Sequence, residues 1–416
     1  MRLLYVVQRY GREVAGGAET HCREFATRLA ARGHDVEVLT SCAASHAGWA
    51  NFYAEGTSTL DGVRVHRLAV ARPRDEAFFA RIDERVVWGV RPAPVHLQRR
   101  WLEVLGPLVP DLGPWLTQRA AGYDAVIFFT YVFHTTWSGL PAAAGVAPTV
   151  LHPTAHDEPA LGVRLYDLTF RHPAGFALST EEEAALVARR FRVRQPHAVI
   201  GIGTDLDAGA RADEAAFRAE VGLGERPYVV YVGRVEGGKG AVELFDWFVA
   251  YKRRRLGPLA LVMVGAVVDD PGVHPDVFMT GFVDDDRRTS ALAGAVALVQ
   301  PSYYESFSMV LTEAWAQRVP ALVQGHCAVL EGQVRRSGGG IPYRGYAEFE
   351  AALDGLLADP DLRRALGDAG RRYTEANYRW DTVLDRYERF LAGLVSSSPS
   401  SSPAPASAPV DSTTKS

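Results

Sequence analysis

The chain has 416 residues, of which 47% are hydrophobic and 23% are charged, and its formal net charge is −4. At roughly 150 residues per domain this length predicts two or three domains, and the mildly acidic balance argues against a dedicated nucleic-acid-binding protein. The cysteines Cys22, Cys42 and Cys327 are far apart and odd in number, so they indicate neither a zinc spacing nor a disulfide framework. This cysteine usage fits a reducing compartment and predicts a cytoplasmic protein.

Apolar periodicity predicts an α/β chain with parallel sheets. The run at 3–8 is too short for a signal peptide and is followed at once by polar residues, so it predicts a first buried strand. Residues 43–66 are predicted to be a loop-rich insertion, and no apolar run is long enough for a transmembrane helix. The other predicted elements are helices at 20–32, 75–121 and 347–395, and strands at 36–39, 125–129, 148–151, 176–178, 228–232, 260–264, 295–300 and 321–323.

Two glutamates follow the predicted strand 295–300. Glu305 lies in the loop after this strand and Glu313 lies in the next predicted helix, with seven residues between them. A helix N-terminus after a strand favours bound anions, because its free N–H groups and its dipole both attract negative charge. A loop carboxylate there can meet the reacting part of a ligand, and a helix carboxylate can hold a diol such as ribose. The spacing alone favours a simpler interpretation, a loop acid plus a solvated helix acid.

The surroundings of Glu305 and Glu313 resemble the signature of the retaining glycosyltransferases of family 4, in which a small-aromatic-small insert follows the first Glu. The resemblance covers about residues 1–395 and is strongest in 228–325. It implies the GT-B fold, an α/β architecture in which two Rossmann-like domains with parallel sheets face each other across a cleft. It also implies transfer of a hexosyl group from a nucleotide-diphosphate sugar, with retention of configuration and without a metal or other cofactor.

The same resemblance implies roles for individual residues. Glu305 would contact the donor sugar and Glu313 the ribose. Gly17, in the glycine pair after the first strand, would let the backbone approach a phosphate, as only glycine can. Phe282 would lie in the segment that meets the nucleobase. The backbone amides expected to face the diphosphate are those of Ser308, Met309 and Val310.

A glycine-rich loop follows the predicted strand 228–232. It fits a P-loop pattern as far as Lys239, but Gly240 stands where a P-loop needs the hydroxyl that binds Mg²⁺, which argues against a P-loop NTPase. It resembles the family's donor loop, in which Arg234 and Lys239 would clamp the diphosphate. Two cations can offset the charge of a leaving diphosphate without a metal. A solvated basic turn is the alternative interpretation.

His152 and His156 follow another predicted strand at a spacing that could suggest zinc. Pro153 disfavours a helix there and no protease-type glutamate lies between the histidines, so a metal site is not favoured. By resemblance, His156 would face the donor sugar and help to catalyse transfer, and a loop histidine with satisfied hydrogen bonds is the alternative. The acidic run 284–286 could suggest a metal motif, but its position favours a helix N-cap.

The resemblance predicts an N-terminal acceptor domain at 1–195 and a C-terminal donor domain at 196–375. A closing helix at 376–395 would return to the first domain, and the Ser-, Pro- and Ala-rich segment 396–416 is predicted to be disordered. Arginines and tryptophans alternate over 81–119, which indicates either an amphipathic packed helix pair or a surface for the acceptor or for the inner face of the membrane.

The predicted function is therefore a glycosyltransferase with a nucleotide-sugar donor and an unknown acceptor, which could be a glycan, a lipid-linked sugar or a small molecule. Two alternatives remain open at this point. One is a GT-B nucleotide-sugar epimerase, which would turn over its donor without an acceptor. The other is an inactive protein that binds sugar nucleotides.

Overall fold

The computed structural model describes residues 1–14 and 16–397. Two sheets organise the chain, and each is covered by helices on both faces. The strands of the first sheet are β1 (Arg2–Val6), β2 (Asp35–Ser41), β3 (Gly56–Leu60), β4 (Val63–Leu68), β5 (Ala125–Phe129), β6 (Thr149–His152), β7 (Gly175–Leu178) and β8 (His197–Val199). Its helices are α1 (Gly17–Ala31), α2 (Glu76–Val86), α3 (Val95–Leu105), α4 (Leu112–Arg119), α5 (His134–Ala144), α6 (Tyr166–Thr169) and α7 (Glu181–Phe191).

The second half of the chain builds the second sheet. Its strands are β9 (Tyr228–Val232), β10 (Ala260–Val264), β11 (Val277–Gly281), β12 (Ala297–Gln300), β13 (Ala321–Gln324) and β14 (Gly340–Tyr343). The helices are α8 (Glu214–Val221), α9 (Ala241–Arg254), α10 (Asp285–Ala293), α11 (Met309–Ala316), α12 (Ala328–Ser337), α13 (Tyr346–Ala358), α14 (Pro360–Asn377) and α15 (Trp380–Ser397).

Strand order places the carboxyl ends of the central strands where ligands bind in such sheets. The first sheet runs β3-β4-β2-β1-β5-β6-β7-β8 and the second β11-β10-β9-β12-β13-β14. All neighbours are parallel except β3 and β4, which are antiparallel. The order reverses at β1/β5 and at β9/β12, and such switch points open a crevice at the carboxyl ends of the strands.

The central strands are buried on both faces, which explains why they are continuously apolar. In β1, Leu4 and Val6 belong to one hydrophobic core, whereas Leu3 and Tyr5 belong to the core on the other face. This alternation follows from the two-residue period of a strand. The second sheet likewise divides its strands between two cores.

Helix α15 lies at the end of the described chain but packs on the first sheet. Its buried residues share a core with Leu3, Phe25 and Phe129, and the Tyr387 hydroxyl lies 2.9 Å from His152 Nε2. The residues of α15 in this core are Val383, Leu384, Tyr387, Leu391 and Leu394. The C-terminal segment thereby ties the second half of the chain to the first.

Several elements differ from the sequence-based expectations. The segment 43–66 was expected to be loop, but its second half forms β3 and the start of β4, an edge hairpin. Its first strand, Gly-Thr-Ser-Thr-Leu, is mostly exposed and carries almost no apolar signal. The strands β8, β11 and β14 were not predicted; all three lie at sheet edges, where burial and therefore apolar character are reduced.

Two predicted boundaries also shift. Strand β8 pairs with β7, so the first sheet continues beyond residue 195 to Val199. Helix α15 includes Ser396 and Ser397, which were assigned to the disordered tail, and the rest of that tail lies outside the described residues. Within 1–14 and 16–397, the structure contains no helix with the length and apolar character needed to cross a bilayer.

Candidate active site

Loops from both sheets meet at the carboxyl ends of their central strands. Gly17, after β1, faces the N-terminus of α11 across the cleft: a Cβ added to it would lie 3.9 Å from Met309 Cε. After β6, the His156 ring lies 6.2 Å from the Tyr304 ring, centroid to centroid. These contacts bring the loops that follow β1 and β6 against the loop that follows β12.

Glu305 and Lys239, predicted separately, are direct neighbours. Lys239 Nζ donates to Glu305 Oε1 at 3.0 Å, and Gln300 Nε2 donates to the same oxygen at 3.3 Å. The Glu305 side chain is 13% exposed and that of Lys239 is 33% exposed. The pair therefore stands at the cleft wall, partly desolvated, where its charges act more strongly than in bulk water.

Arg234, the other predicted clamp cation, lies in the same loop as Lys239 but has a different partner. Its Nη2 lies 2.9 Å from Glu236 Oε1, and its side chain is about half exposed. It does not contact Glu305 in this structure. An exposed guanidinium of this kind can turn toward an anion with little loss of packing.

Helix α11 begins with a strained residue. Ser308 precedes the first helical residue, Met309, and has φ of 69°, in the left-handed region. A non-glycine residue held there costs of order 1–3 kcal/mol, and such strain clusters at functional sites. The first amides of α11, those of Met309 and Val310, are at a helix start, where backbone N–H groups have no intrahelical partner.

Glu313 faces outward from α11 and is held by an arginine that sequence reasoning missed. Arg288 of α10 donates from Nε to Glu313 Oε2 at 3.0 Å and from Nη2 to Oε1 at 3.1 Å. This two-bond pairing fixes the plane of the carboxylate. Nothing in the local pattern marks Arg288, because it meets Glu313 only when α10 packs beside α11.

Three glycines end neighbouring strands of the second sheet and form a flat backbone surface. Gly233, Gly265 and Gly281 follow or end β9, β10 and β11 with φ of 155°, 143° and 70°. A Cβ on Gly265 would lie 1.9 Å from the carbonyl oxygen of Gly233, so only glycine fits there. Phe282, the predicted base-binding residue, follows this surface and is 73% exposed.

His156 is paired with an acid that the sequence analysis also missed. Its Nδ1 lies 3.3 Å from Glu158 Oε1, an ion-pair distance, and the same oxygen accepts a hydrogen bond from the Tyr131 hydroxyl at 2.8 Å. Burial lowers the pKa of His156, but the carboxylate of Glu158, helped by that of Glu305, outweighs burial and raises this pKa above its ordinary value. The imidazole, which lies beside Tyr304 in the cleft, is therefore biased toward its charged form.

The two histidines of the run His152–His156 do not converge. His152 is buried and stacks on Phe129 with ring centroids 4.5 Å apart, whereas His156 faces the cleft. The acidic run 284–286 is confirmed as a helix cap, since Asp284 accepts from the amide of Arg287 at 2.8 Å at the start of α10.

Within the segment 81–119, most large side chains pack inward. Trp101 and Leu102 on α3 are 1% and 0% exposed, as an amphipathic packed helix pair requires. The exposed apolar residues are Trp88, Val90 and Val95, at the connection between α2 and α3.

Residues 213–373 match the family model described as Glycosyl transferases group 1. The matched residues span the second sheet, from α8 into α14. A GDP-mannose-dependent alpha-(1-6)-phosphatidylinositol monomannoside mannosyltransferase of Mycobacterium tuberculosis is 28% identical over 91% of this chain and 95% of the relative. The glycogen synthase of the same species is 27% identical over 92% of each. The solved sucrose-phosphate synthase of Thermosynechococcus elongatus superposes with a TM-score of 0.71, covering 96% of this chain and 100% of that one at 19% identity.

These findings confirm the recognition made from the Glu305–Glu313 run and the predicted GT-B fold. The chain is a glycosyltransferase of the nucleotide-sugar type.

The raised pKa of His156 can be tested through its partner. In Glu158→Gln the carboxylate is lost while burial remains, so we expect the pKa of His156 to fall. NMR titration of histidine-labelled protein measures this pKa. Glu13→Gln removes a carboxylate that accepts from the Tyr53 hydroxyl and does not act on His156, so it should leave this pKa unchanged. An unaltered His156 titration in Glu158→Gln would show that the pairing does not operate in solution.

Proposed function

We propose that this group 1 glycosyltransferase transfers a hexosyl unit from a nucleoside diphosphate to an acceptor hydroxyl, with retention of configuration and without a metal ion. The observation that carries the proposal is the Lys239–Glu305 pair, at 3.0 Å, beside the N-terminus of α11. This pair supports a site in which Lys239 and the amides of α11 bind the diphosphate, and the neighbouring Glu305 binds the sugar.

The proposed role of each residue follows from the position of its side chain or backbone amide. Lys239, Arg234 and the amides of Ser308, Met309 and Val310 bind the diphosphate, with Gly17 opposite them. Glu313, oriented by Arg288, binds the ribose hydroxyls, and the backbone before Phe282 meets the base. Glu305 and His156 hold the hydroxyls of the transferred sugar. The positive charges stabilise the departing diphosphate as the glycosidic bond breaks.

Retention can arise by two routes. Double displacement needs a carboxylate free to attack the anomeric carbon. The two carboxylates nearest His156 both have partners: Glu158 meets His156 and Tyr131, and Glu305 meets Lys239. We therefore favour displacement on one face of the sugar. The bond from the anomeric carbon to the phosphate oxygen breaks, the bond to the acceptor oxygen forms, and the acceptor proton passes to the leaving phosphate.

Both alternatives from the sequence are less well supported. The relatives named above are a transferase and synthases, not epimerases. An inactive binding protein would not need to keep the Glu305–Lys239 pair beside a strained Ser308.

For the acceptor we propose binding on the first domain, but the mannosyltransferase and the glycogen synthase match this chain equally well. The chemical class of the acceptor is therefore to be found by screening glycans, lipid-linked sugars and small molecules.

The first test concerns Lys239. Removing one charged contact to a buried diphosphate should weaken its binding by about 2–4 kcal/mol. Calorimetry of Lys239→Ala with UDP, GDP and ADP measures the loss. Arg253→Ala, an exposed cation on the helix that follows the same loop, is the matched control and should bind like the unaltered protein. Equal affinity of both variants would remove Lys239 from the site.

A turnover assay examines the role of metal. Because two cations and helix amides are proposed to neutralise the diphosphate, turnover in excess EDTA should equal turnover without it. A loss of activity that Mg²⁺ or Mn²⁺ restores would contradict the metal-free part of the proposal.

The second test separates the two glutamates. Contacts that strengthen in the transition state affect turnover, whereas contacts of similar strength throughout the reaction affect the Michaelis constant. We expect Glu305→Gln to lower kcat with little change in diphosphate affinity, and Glu313→Gln to weaken both donor and diphosphate binding. Steady-state kinetics with calorimetry measures both effects. Glu225→Gln, an exposed acid, is the control, and a reversed pattern would exchange the two roles.

We also propose that the enzyme contacts the inner face of the cytoplasmic membrane through the connection between α2 and α3. Trp88 and Val90 are 64% and 103% exposed there, and Arg85 and Arg91 lie beside them, a composition typical of interfacial segments. Co-sedimentation with vesicles containing anionic lipid should fall for Trp88→Ser and not for Phe52→Ser, an exposed aromatic elsewhere. Equal sedimentation of the two variants would contradict this contact.

A further inference from the structure

Glu183 is a carboxylate with no role in the site described above, yet it is 0% exposed. It lies in the first turn of α7. Both of its oxygens accept hydrogen bonds from backbone amides at 2.6 Å: Oε1 from Ala155 and Oε2 from Ser179. One carboxylate thereby joins the loop after β6 to the end of β7. Burying an acid is costly unless it is bonded in this way, so its presence here calls for a function.

The two amides belong to segments that lead directly to the reacting groups. Ala155 immediately precedes His156, and Thr154 before it has φ of 50°, a left-handed conformation that needs support from its surroundings. On the other side, Ser179 precedes Thr180, whose hydroxyl donates to the carbonyl oxygen of Ser306 at 3.1 Å. Ser306 is the residue after Glu305.

Glu183 is thus connected to both of the side chains proposed to hold the transferred sugar. The first connection runs through one amide to His156 within the first domain. The second runs through Thr180 across the cleft to the loop of Glu305.

We propose that Glu183 is a positioning residue that sets the placement of His156 relative to Glu305 for the transfer step. The proposal rests on the proposed function, in which His156 and Glu305 hold the donor sugar. It assigns Glu183 no contact with substrate. A displacement of about 1 Å at a reacting group can cost 10²-fold in rate, so a support of this kind should be visible in turnover.

The ionisation state of Glu183 matters for this support. Burial raises its pKa to about 7, although the two amide donors and nearby His156 oppose that rise. The ionised form can accept from both amides with two strong acceptor oxygens, whereas in the protonated form the hydroxyl oxygen is a poor acceptor and its bond to one amide is weakened. His156 is the charged group that faces Glu183, and His156 in turn faces Glu158, Glu305 and Lys239.

Two consequences follow for the dependence on pH. Activity should fall as pH drops through about 7, because the protonated acid supports only one of the two loops. Stability should move the other way: an acid whose folded pKa is raised binds more protons in the folded state, so its ionisation lowers the free energy of unfolding as pH rises toward 7. A residue that mattered only for folding would not separate the two quantities.

Glu183→Gln tests the proposal, since glutamine has the same shape but can accept with only one oxygen. We expect kcat to fall by about 10-fold or more, with the donor Michaelis constant and diphosphate affinity unchanged. The limb of the pH–rate profile near 7 should disappear. The melting temperature at pH 8 should be equal or higher, because a buried charge has been removed. Glu181→Gln, an exposed acid in the same turn of α7, should leave all five quantities unchanged.

Other outcomes overturn the proposal. Unchanged kcat and an unchanged pH profile in Glu183→Gln would mean that Glu183 does not position His156 or Glu305. A parallel loss of kcat and melting temperature would mean that Glu183 serves folding alone. Should Glu183→Gln fail to fold, Glu183→Asp keeps the charge but is too short for both amides. It should then retain the pH limb at a lower kcat, and an unaltered kcat would contradict the proposal.

A readout that does not depend on transfer separates this inference from the proposed function. The His156 imidazole resonance should shift in Glu183→Gln and not in Glu181→Gln. If the unaltered protein transfers no sugar, the proposed function fails, and the His156 resonance still decides whether Glu183 positions that loop. A His156 resonance that is identical in both variants would overturn the positioning role.

Discussion

The packing of α15 on the first sheet is the contact on which the geometry of the cleft depends. The helix follows the second sheet in sequence, yet Val383, Tyr387 and Leu391 are completely buried in the core beneath β1 and α1. Arg32 of the first domain also pairs with Asp381, Asp385 and Glu388 along the exposed side of the helix. Because the apolar burial is large and the ion pairs are partly solvated, burial supplies most of the stabilisation.

This connection brings residues that are far apart in the sequence into one site. Beside it, Phe307 packs against Tyr378 with ring centroids 5.0 Å apart, so the loop that carries Glu305 is fixed from behind. Gly201, at the junction between the sheets, has φ of 77°, and a Cβ there would lie 2.7 Å from Tyr378. The junction thus admits only glycine where the chain passes from one domain to the other.

Charges in the cleft occur as compensated pairs. Lys239 meets Glu305, His156 meets Glu158, and Arg288 meets Glu313. Each pair reduces the cost of holding a charge away from water and fixes the direction in which its side chain points. Binding of a sugar nucleotide at such a site would exchange partners rather than introduce bare charges. This pairing of opposite charges explains how one cleft can hold several acids and cations beside backbone donors without a large loss of stability.

Local sequence patterns were sufficient for the elements with strong apolar signals. The central strands β1, β5, β9, β10 and β12 are buried on both faces and read as continuous apolar runs, so they were found. The edge strands β3, β8, β11 and β14 were missed because a half-solvated strand needs no such run. The cap at Asp284 was predicted because capping is a local interaction between residues three apart.

The sequence by itself determined the α/β class, the resemblance to the group 1 glycosyltransferases and the residue types gathered around Glu305, because each of these depends on short contiguous motifs. Only the tertiary structure decided which groups meet. Lys239 meets Glu305, Arg288 orients Glu313, and Glu183 of α7 joins Ala155 to the end of β7. These partners come from separate loops and helices, and no spacing along the chain encodes a contact that exists only after those elements have packed together.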